Sequence, residues 1–152
     1  MAKTQALRSI SELKRAIAAL KILRDDGYRI SMPDEISEGC VGHLIGALRT
    51  SDNGDLVKPP YTDVIELKSS MSANDGPSTL SPNFNFNFTL LFAQFNPSLD
   101  GYFDVWEIPT SLIPKDKVNG PGSRREKINF KKIIRDNKII PIHKQVTIFE
   151  NN

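Results

Sequence analysis

The sequence predicts an α/β (α+β) domain, a mixed central sheet flanked by helices, and three stretches carry that expectation. Residues 5–26 bear an apolar stripe at helical spacing. Residues 55–58 and 63–69 read as a β-hairpin around Lys58-Pro59-Pro60-Tyr61-Thr62. Residues 83–95 and 102–108 read as two strands joined by a polar turn. With 152 residues the chain fits one domain with a proper core. Its expected parts are an N-terminal helix in 1–30, a core at 36–108, and a basic loop with a last strand at 115–152.

In the first helix Ile10, Leu13, Ile17, Leu20 and Leu23 recur at spacings of three and four. Thr4 is placed to cap its start and Gly27 to close its end. So narrow a stripe docks on the domain or pairs with a second copy. Residues 35–49 are expected to form a second helix, with Ile36, Cys40, Leu44 and Leu48 four apart. Gly39, Gly42 and Gly46 each cost such a helix about 1 kcal/mol against alanine. They suit close approach of a strand or of DNA, or else weaken the helix itself.

In the hairpin, Val64, Ile65 and Leu67 mark the second strand. Residues 71–82 are rich in Ser, Asn, Asp, Gly and Pro and read as a loop. The alternation Asn83-Phe84-Asn85-Phe86-Asn87-Phe88 predicts a strand running on to Phe95. Asn96 to Gly101 is a turn, and Tyr102 to Ile108 the return strand. A short helical turn is expected between Pro109 and Pro114, a basic Gly/Pro loop at 115–125, and a short helix or strand at 128–135. The final strand is expected at 139–149, where Pro141 indicates a sheet edge or a bulge.

The single cysteine, Cys40, excludes an internal disulfide and a Cys-rich zinc site, so an intracellular (cytoplasmic) setting is expected. No apolar run approaches the roughly 20 residues that span a bilayer. Met1-Ala2-Lys3-Thr4 is not followed by the apolar core of a secretory signal. The net charge of +2 conceals a pattern. Residues 1–30 carry seven Lys/Arg against three acids, 31–114 three against eleven, and 115–152 ten against four. Acids in the middle can gather a cation while basic flanks hold a polyanion; equally, such runs can be solvated surface.

The chemistry concentrates in Asp55 and Glu66-Leu67-Lys68. Strand side chains alternate faces, so Glu66 and Lys68 lie side by side on one face, and Asp63 points to the other. A hairpin can bring Asp55 back beside Glu66. Asp52 is a weaker candidate, and Glu38 on the preceding helix can reach the same metal or a second one. A hard divalent cation held by carboxylate oxygens beside a lysine suits phosphodiester cleavage. The bland alternative is an exposed Glu/Lys pair worth at most about 1 kcal/mol.

The helix Gly39 to Leu48, then Asp55, then Glu66-Leu67-Lys68-Ser69 resembles the PD-(D/E)xK nuclease superfamily. The likeness is to its smallest homodimeric type II restriction endonucleases, the blunt-cutting group. It covers 36–108 best. Gly54 stands where that pattern has proline, and Gly46 near where some relatives place a helix carboxylate. The resemblance implies a restriction-endonuclease-like core. It implies Mg²⁺ (with Mn²⁺ able to substitute) held by Asp55, Glu66 and the Leu67 carbonyl, polarising the scissile phosphate and acidifying a water. Lys68 would orient or help deprotonate that water and stabilise charge on the phosphorane.

Three further groups are candidates for binding double-stranded DNA. Asn83, Asn85 and Asn87, on one face of the expected strand, match the bidentate contact of Asn with adenine; the alternative is a polar face over an aromatic core. Lys115, Lys117, Arg124, Arg125 and Lys127 suit phosphates, with Arg124 or Arg125 able to meet guanine. His143 is a candidate phosphate contact. His43 shows no metal-ligand spacing, and Trp106 is expected in the core. The expected activity is Mg²⁺-dependent hydrolysis of double-stranded DNA at a short palindrome by a symmetric pair of chains, a homodimer. A junction-resolving, repair or nicking nuclease of the same fold, and a non-catalytic DNA-binding protein, are the alternatives.

Overall fold

The computed structural model describes residues 3–51, 54–72, 78–80, 84–118 and 126–150. Its frame is a seven-stranded mixed sheet whose strand order follows the chain. The strands are β1 (Thr4–Gln5), β2 (Leu48–Thr50), β3 (Leu56–Lys58), β4 (Asp63–Ser70), β5 (Thr89–Phe95), β6 (Phe103–Glu107) and β7 (His143–Val146). All neighbours are antiparallel except β4 and β5, which run parallel. Parallel neighbours need a crossover, which falls between Ser70 and Thr89.

Residues opposite each other on paired strands project to the same face. Ile65, Leu67, Leu91, Ala93, Phe95, Phe103 and Val105 share one face. They pack with Leu13, Ile17, Cys40 and Val41 of α1 (Ile10–Asp25) and α2 (Asp34–Ile45). The other face carries Leu90, Phe92 and Ile108, buried with Leu80, Phe84, Ile113, Val118, Ile128 and Phe130. That second layer includes α3 (Lys115–Val118) and α4 (Phe130–Asp136). Glu66 and Lys68 lie opposite Leu90 and Phe92, so they belong to this second face.

The α+β class, both hairpins, the short helical turn at Thr110–Leu112 and the edge position of the last strand agree with the sequence expectation. Several boundaries do not. Helix α1 starts at Ile10 rather than residue 5, and its cap is Ser9, whose hydroxyl accepts from the Glu12 N–H at 3.1 Å. Thr4 instead pairs with Thr50 in β1. Helix α2 stops at Ile45 because Gly46 takes the left-handed conformation (φ +74°), so Leu48 belongs to β2. Gly39 and Gly42 do admit close neighbours, but these are Leu13 and Leu7, not a strand or DNA: a Cβ at either glycine would meet those side chains at 2.8 Å.

The largest departure is at 84–88, which form no strand. The Asn85 side chain accepts from the Asn87 N–H (2.8 Å), and the Asn85 carbonyl accepts from the Phe88 N–H (2.8 Å). An Asx turn of this kind competes with a strand ladder. Phe84 packs edge-on against both Phe86 and Phe88, so the three rings cluster rather than line one strand face. The last strand is also shorter than 139–149. The element expected at 128–135 is helix α4, which runs Phe130–Asp136 with Asn129 as its cap while Ile128 bridges to Ser78, and the start of the expected basic loop, 115–118, is the helical turn α3.

Candidate active site

The site is built at the start of β3, where β4 runs on past it. The Asp55 N–H donates to the Ile65 carbonyl (2.9 Å), extending the ladder one residue beyond Leu56. The next donor along β4 on that side, the Leu67 N–H, is taken by the Asp55 carboxylate, which accepts it at 2.7 Å. A strand residue directs its N–H and C=O to the same side, so the Leu67 carbonyl faces the opening where Asp55 stands. Asp55 and Glu66 face each other across the hairpin.

The electrostatics are those of crowded carboxylates. Glu66 is 5% exposed. Burial first, then the Asp55 charge and a hydrogen bond between the two carboxyls, push its pKa up to about 8, while Lys68 opposes the rise. Glu38 is also buried, and its pKa is pushed up to about 7 by burial and by Asp55. Arg49 holds Glu38 through Nε–Oε1 at 3.0 Å and reaches Glu35 at 3.5 Å. Buried carboxylates that raise one another's pKa gain most when a cation arrives. Among the described residues no three His, Cys, Asp or Glu side chains stand together as a metal cage. Two carboxylates, a main-chain carbonyl and waters remain a fitting set for Mg²⁺, which keeps much of its hydration.

Gly54 explains the missing proline. Its φ is +96°, and a Cβ there would lie 2.4 Å from Val64 Cγ1. Proline is locked near −65° and cannot adopt this backbone, which is what aims Asp55 at β4. Gly54→Ala is expected to lower stability by about 1–3 kcal/mol and to cost activity beyond that, because Asp55 shifts; thermal melting and cleavage rate together check it.

The family model described as Bsp6I restriction endonuclease matches residues 4–135. The chain belongs to this family. No curated protein matches it, and no solved structure does. A Bsp6I-family chain is a restriction endonuclease and acts on DNA. Among the described residues no helix is long and apolar enough to cross a membrane.

In this restriction endonuclease the other sequence candidates are spread unevenly. Asn85 and Asn87 are exposed on a turn beside the second layer. Lys115 lies 5.8 Å from the Phe86 ring centre, and Lys117 is half-buried on α3. The packing of the Phe84, Phe86 and Phe88 rings and of Val118 puts these four on the Glu66–Lys68 side of the sheet. His143 is not brought there: it pairs with Val105 and lines a cavity with Asp63, Ile65 and Leu91 on the opposite face. Asp63 accepts from the Thr89 hydroxyl at 3.0 Å and stays away from Glu66, as strand alternation requires. Asn83, Arg124, Arg125 and Asp52 lie outside the described residues. Trp106 is half-buried rather than fully in the core. Sequence reasoning missed Arg49, whose pairing with Glu38 depends on β2 replacing the end of the expected helix.

Proposed function

We propose that the chain is a Mg²⁺-dependent type II restriction endonuclease of the PD-(D/E)xK kind. It hydrolyses double-stranded DNA at a short palindromic site as a homodimer. The observation that carries the reading is the Asp55–Glu66 carboxyl pair, pinned by the Leu67 N–H and flanked by Lys68 on one strand face.

Asp55, Glu66 and the Leu67 carbonyl would hold the ion, and Glu38, whose charge also raises the Glu66 pKa, is a further acid close by. When bound, Mg²⁺ supplies Lewis-acid charge that polarises the scissile phosphate and makes an attacking water more acidic. Lys68 orients that water and stabilises charge developing on the phosphorane. Lys115 and Lys117 contact phosphates, and the Asn85–Asn87 turn reads base edges. One chain offers one such site, so cutting both strands calls for two copies. Exposed Ile22 and Leu23 on α1, with Tyr28 just beyond it, suit that pairing.

Plasmid DNA tests the reading. Discrete fragments with Mg²⁺ and none with EDTA are expected. Relaxation of cruciform plasmid alone would point to a junction nuclease, and mobility shifts without cuts to a binding module. Asn87→Ala is expected to lower discrimination between the cleaved site and altered sites about tenfold, with the salt dependence of binding unchanged. Unaltered discrimination would remove the turn from base reading.

A further inference from the structure

The layer that covers the Glu66–Lys68 side of the sheet carries a strongly basic stretch. Residues 115–132 hold seven Lys/Arg against two acids. Helices α3 and α4, with the segment that leads into α4, fold part of this stretch around a cavity of about 400 Å³. Lys117, Lys127 and Lys132 line it, with Leu112, Ile128 and Ile133 as apolar neighbours.

Backbone contacts set where the three lysines stand. The Lys117 N–H donates to the Pro114 carbonyl (3.1 Å), and the Lys117 carbonyl accepts from the Glu126 N–H (2.8 Å). Ile128 and Ser78 exchange hydrogen bonds in both directions (2.9 and 2.7 Å), so Lys127 lies between two anchored residues. The Asn129 side chain caps α4 by accepting from the Lys132 N–H at 3.0 Å. Among the described residues no ion pair or hydrogen bond takes up the three ammonium groups. The two acids of the stretch, Asp116 and Glu126, are exposed and pair with none of them. Like charges around one hollow repel one another, and an anion seated between them converts that repulsion into attraction.

The lining also selects the anion. Among the described residues it has no aromatic ring on which a base could stack. An ammonium is a point charge without the planar fork of a guanidinium, and the Asn129 side-chain oxygen is already occupied by its cap. What remains is attraction to phosphate, whatever the bases beside it. No residue of β3 or β4 lines the cavity, so the phosphate it suits is not the one at Asp55 and Glu66. A chain of this family meets a polymer of such phosphates, and neutralising one releases counterions that the duplex had condensed.

We propose that Lys117, Lys127 and Lys132 seat a backbone phosphate of the DNA, apart from the phosphate that is cut and without regard to base sequence. The proposal rests on the chain acting on DNA, not on which groups cut it.

The test measures binding by the full chain without Mg²⁺, on the duplex carrying the site mapped by plasmid digestion and on an unrelated duplex of equal length. Lys127→Gln combined with Lys132→Gln is expected to lower the slope of log affinity against log salt by about one. It should weaken both duplexes by the same factor; a loss confined to the mapped site would make the lysines base readers and overturn the proposal. Lys14→Gln combined with Lys144→Gln removes the same charge at exposed positions away from the cavity, and should leave the slope as it is. An equal drop in that control would reduce the effect to net charge and overturn the seat. Uncharged methylphosphonates then replace the backbone phosphates one at a time. At one position on each strand the wild type is expected to lose affinity and the Lys127/Lys132 double variant to lose none. A double variant that responds to every replacement as the wild type does would overturn the proposal, and so would a position that coincides with the bond cut in Mg²⁺. Stabilisation of the wild type but not the double variant by inorganic phosphate, with every replacement silent, would assign the hollow to a free anion and overturn the DNA contact. Absence of plasmid cleavage is a separate failure, that of the Lys68 centre, because the unrelated duplex still reports the slope.

Discussion

Lys68→Ala is expected to abolish Mg²⁺-dependent cleavage, by about 10³-fold or more, while binding of the cleaved site without Mg²⁺ changes only a fewfold. The difference follows from position. Lys68 is half-buried on β4, beside Glu66 and away from the core face that packs α1 and α2. Truncating it removes no core contact of that layer, so folding survives. Under the proposed mechanism what is lost is a cation placed where charge develops, and one preorganised donor alone is commonly worth about 10²–10³ in rate. Removal of water orientation adds to that. Single-turnover rates and binding isotherms on one duplex separate the two effects. Parallel loss of binding and cleavage would give Lys68 a structural role instead.

The second large effect is a pH-dependent stability that Mg²⁺ reverses. The folded pKa values of Glu66 and Glu38, about 8 and about 7, stand above the ordinary glutamate value near 4.3. The folded state therefore holds protons that the unfolded chain releases. That contribution is complete below about pH 4.3 and is lost as pH rises through 7 to 8. Metal-free protein should melt lower at pH 8.5 than at pH 5.5. Glu66→Gln removes the charge but keeps the shape, and is expected to raise the melting temperature at pH 8.5 by about 5 °C, with little change at pH 5.5. Mg²⁺ should stabilise the wild type most at pH 8.5, by binding the folded state alone, and should lose that effect in the variant. A wild type and variant that melt in parallel across this range, or an undiminished Mg²⁺ shift in Glu66→Gln, would remove the ion from Asp55 and Glu66.

Much of the centre was legible because strand periodicity is rigid. Alternation alone placed Glu66 with Lys68 and set Asp63 apart, and the hairpin returned Asp55 to Glu66. Elsewhere local chemistry outweighed periodicity. The Phe/Asn alternation at 84–88 imitates a strand, yet the Asn85 side chain captures the Asn87 N–H and closes a turn. Leu48 keeps helical spacing, but Gly46 had already ended the helix. The Ser9-x-x-Glu12 pattern that starts α1 was present in the sequence as a capping signal; Thr4 is of the same capping type but pairs in β1. The parallel pairing of β4 with β5 was not legible, because no local pattern in either strand reports which neighbour it takes or in which direction.

Strand β4 does two jobs in strict alternation: Ile65 and Leu67 seal one layer, while Glu66 and Lys68 serve the other. A one-residue insertion or deletion there would exchange the two sets. Charges would be driven into the oily side, and the groups proposed to react would vanish in the same stroke. Such a frame tolerates substitution one position at a time but no slippage, so length changes in surviving descendants should fall in the loops and never between Asp63 and Ser70.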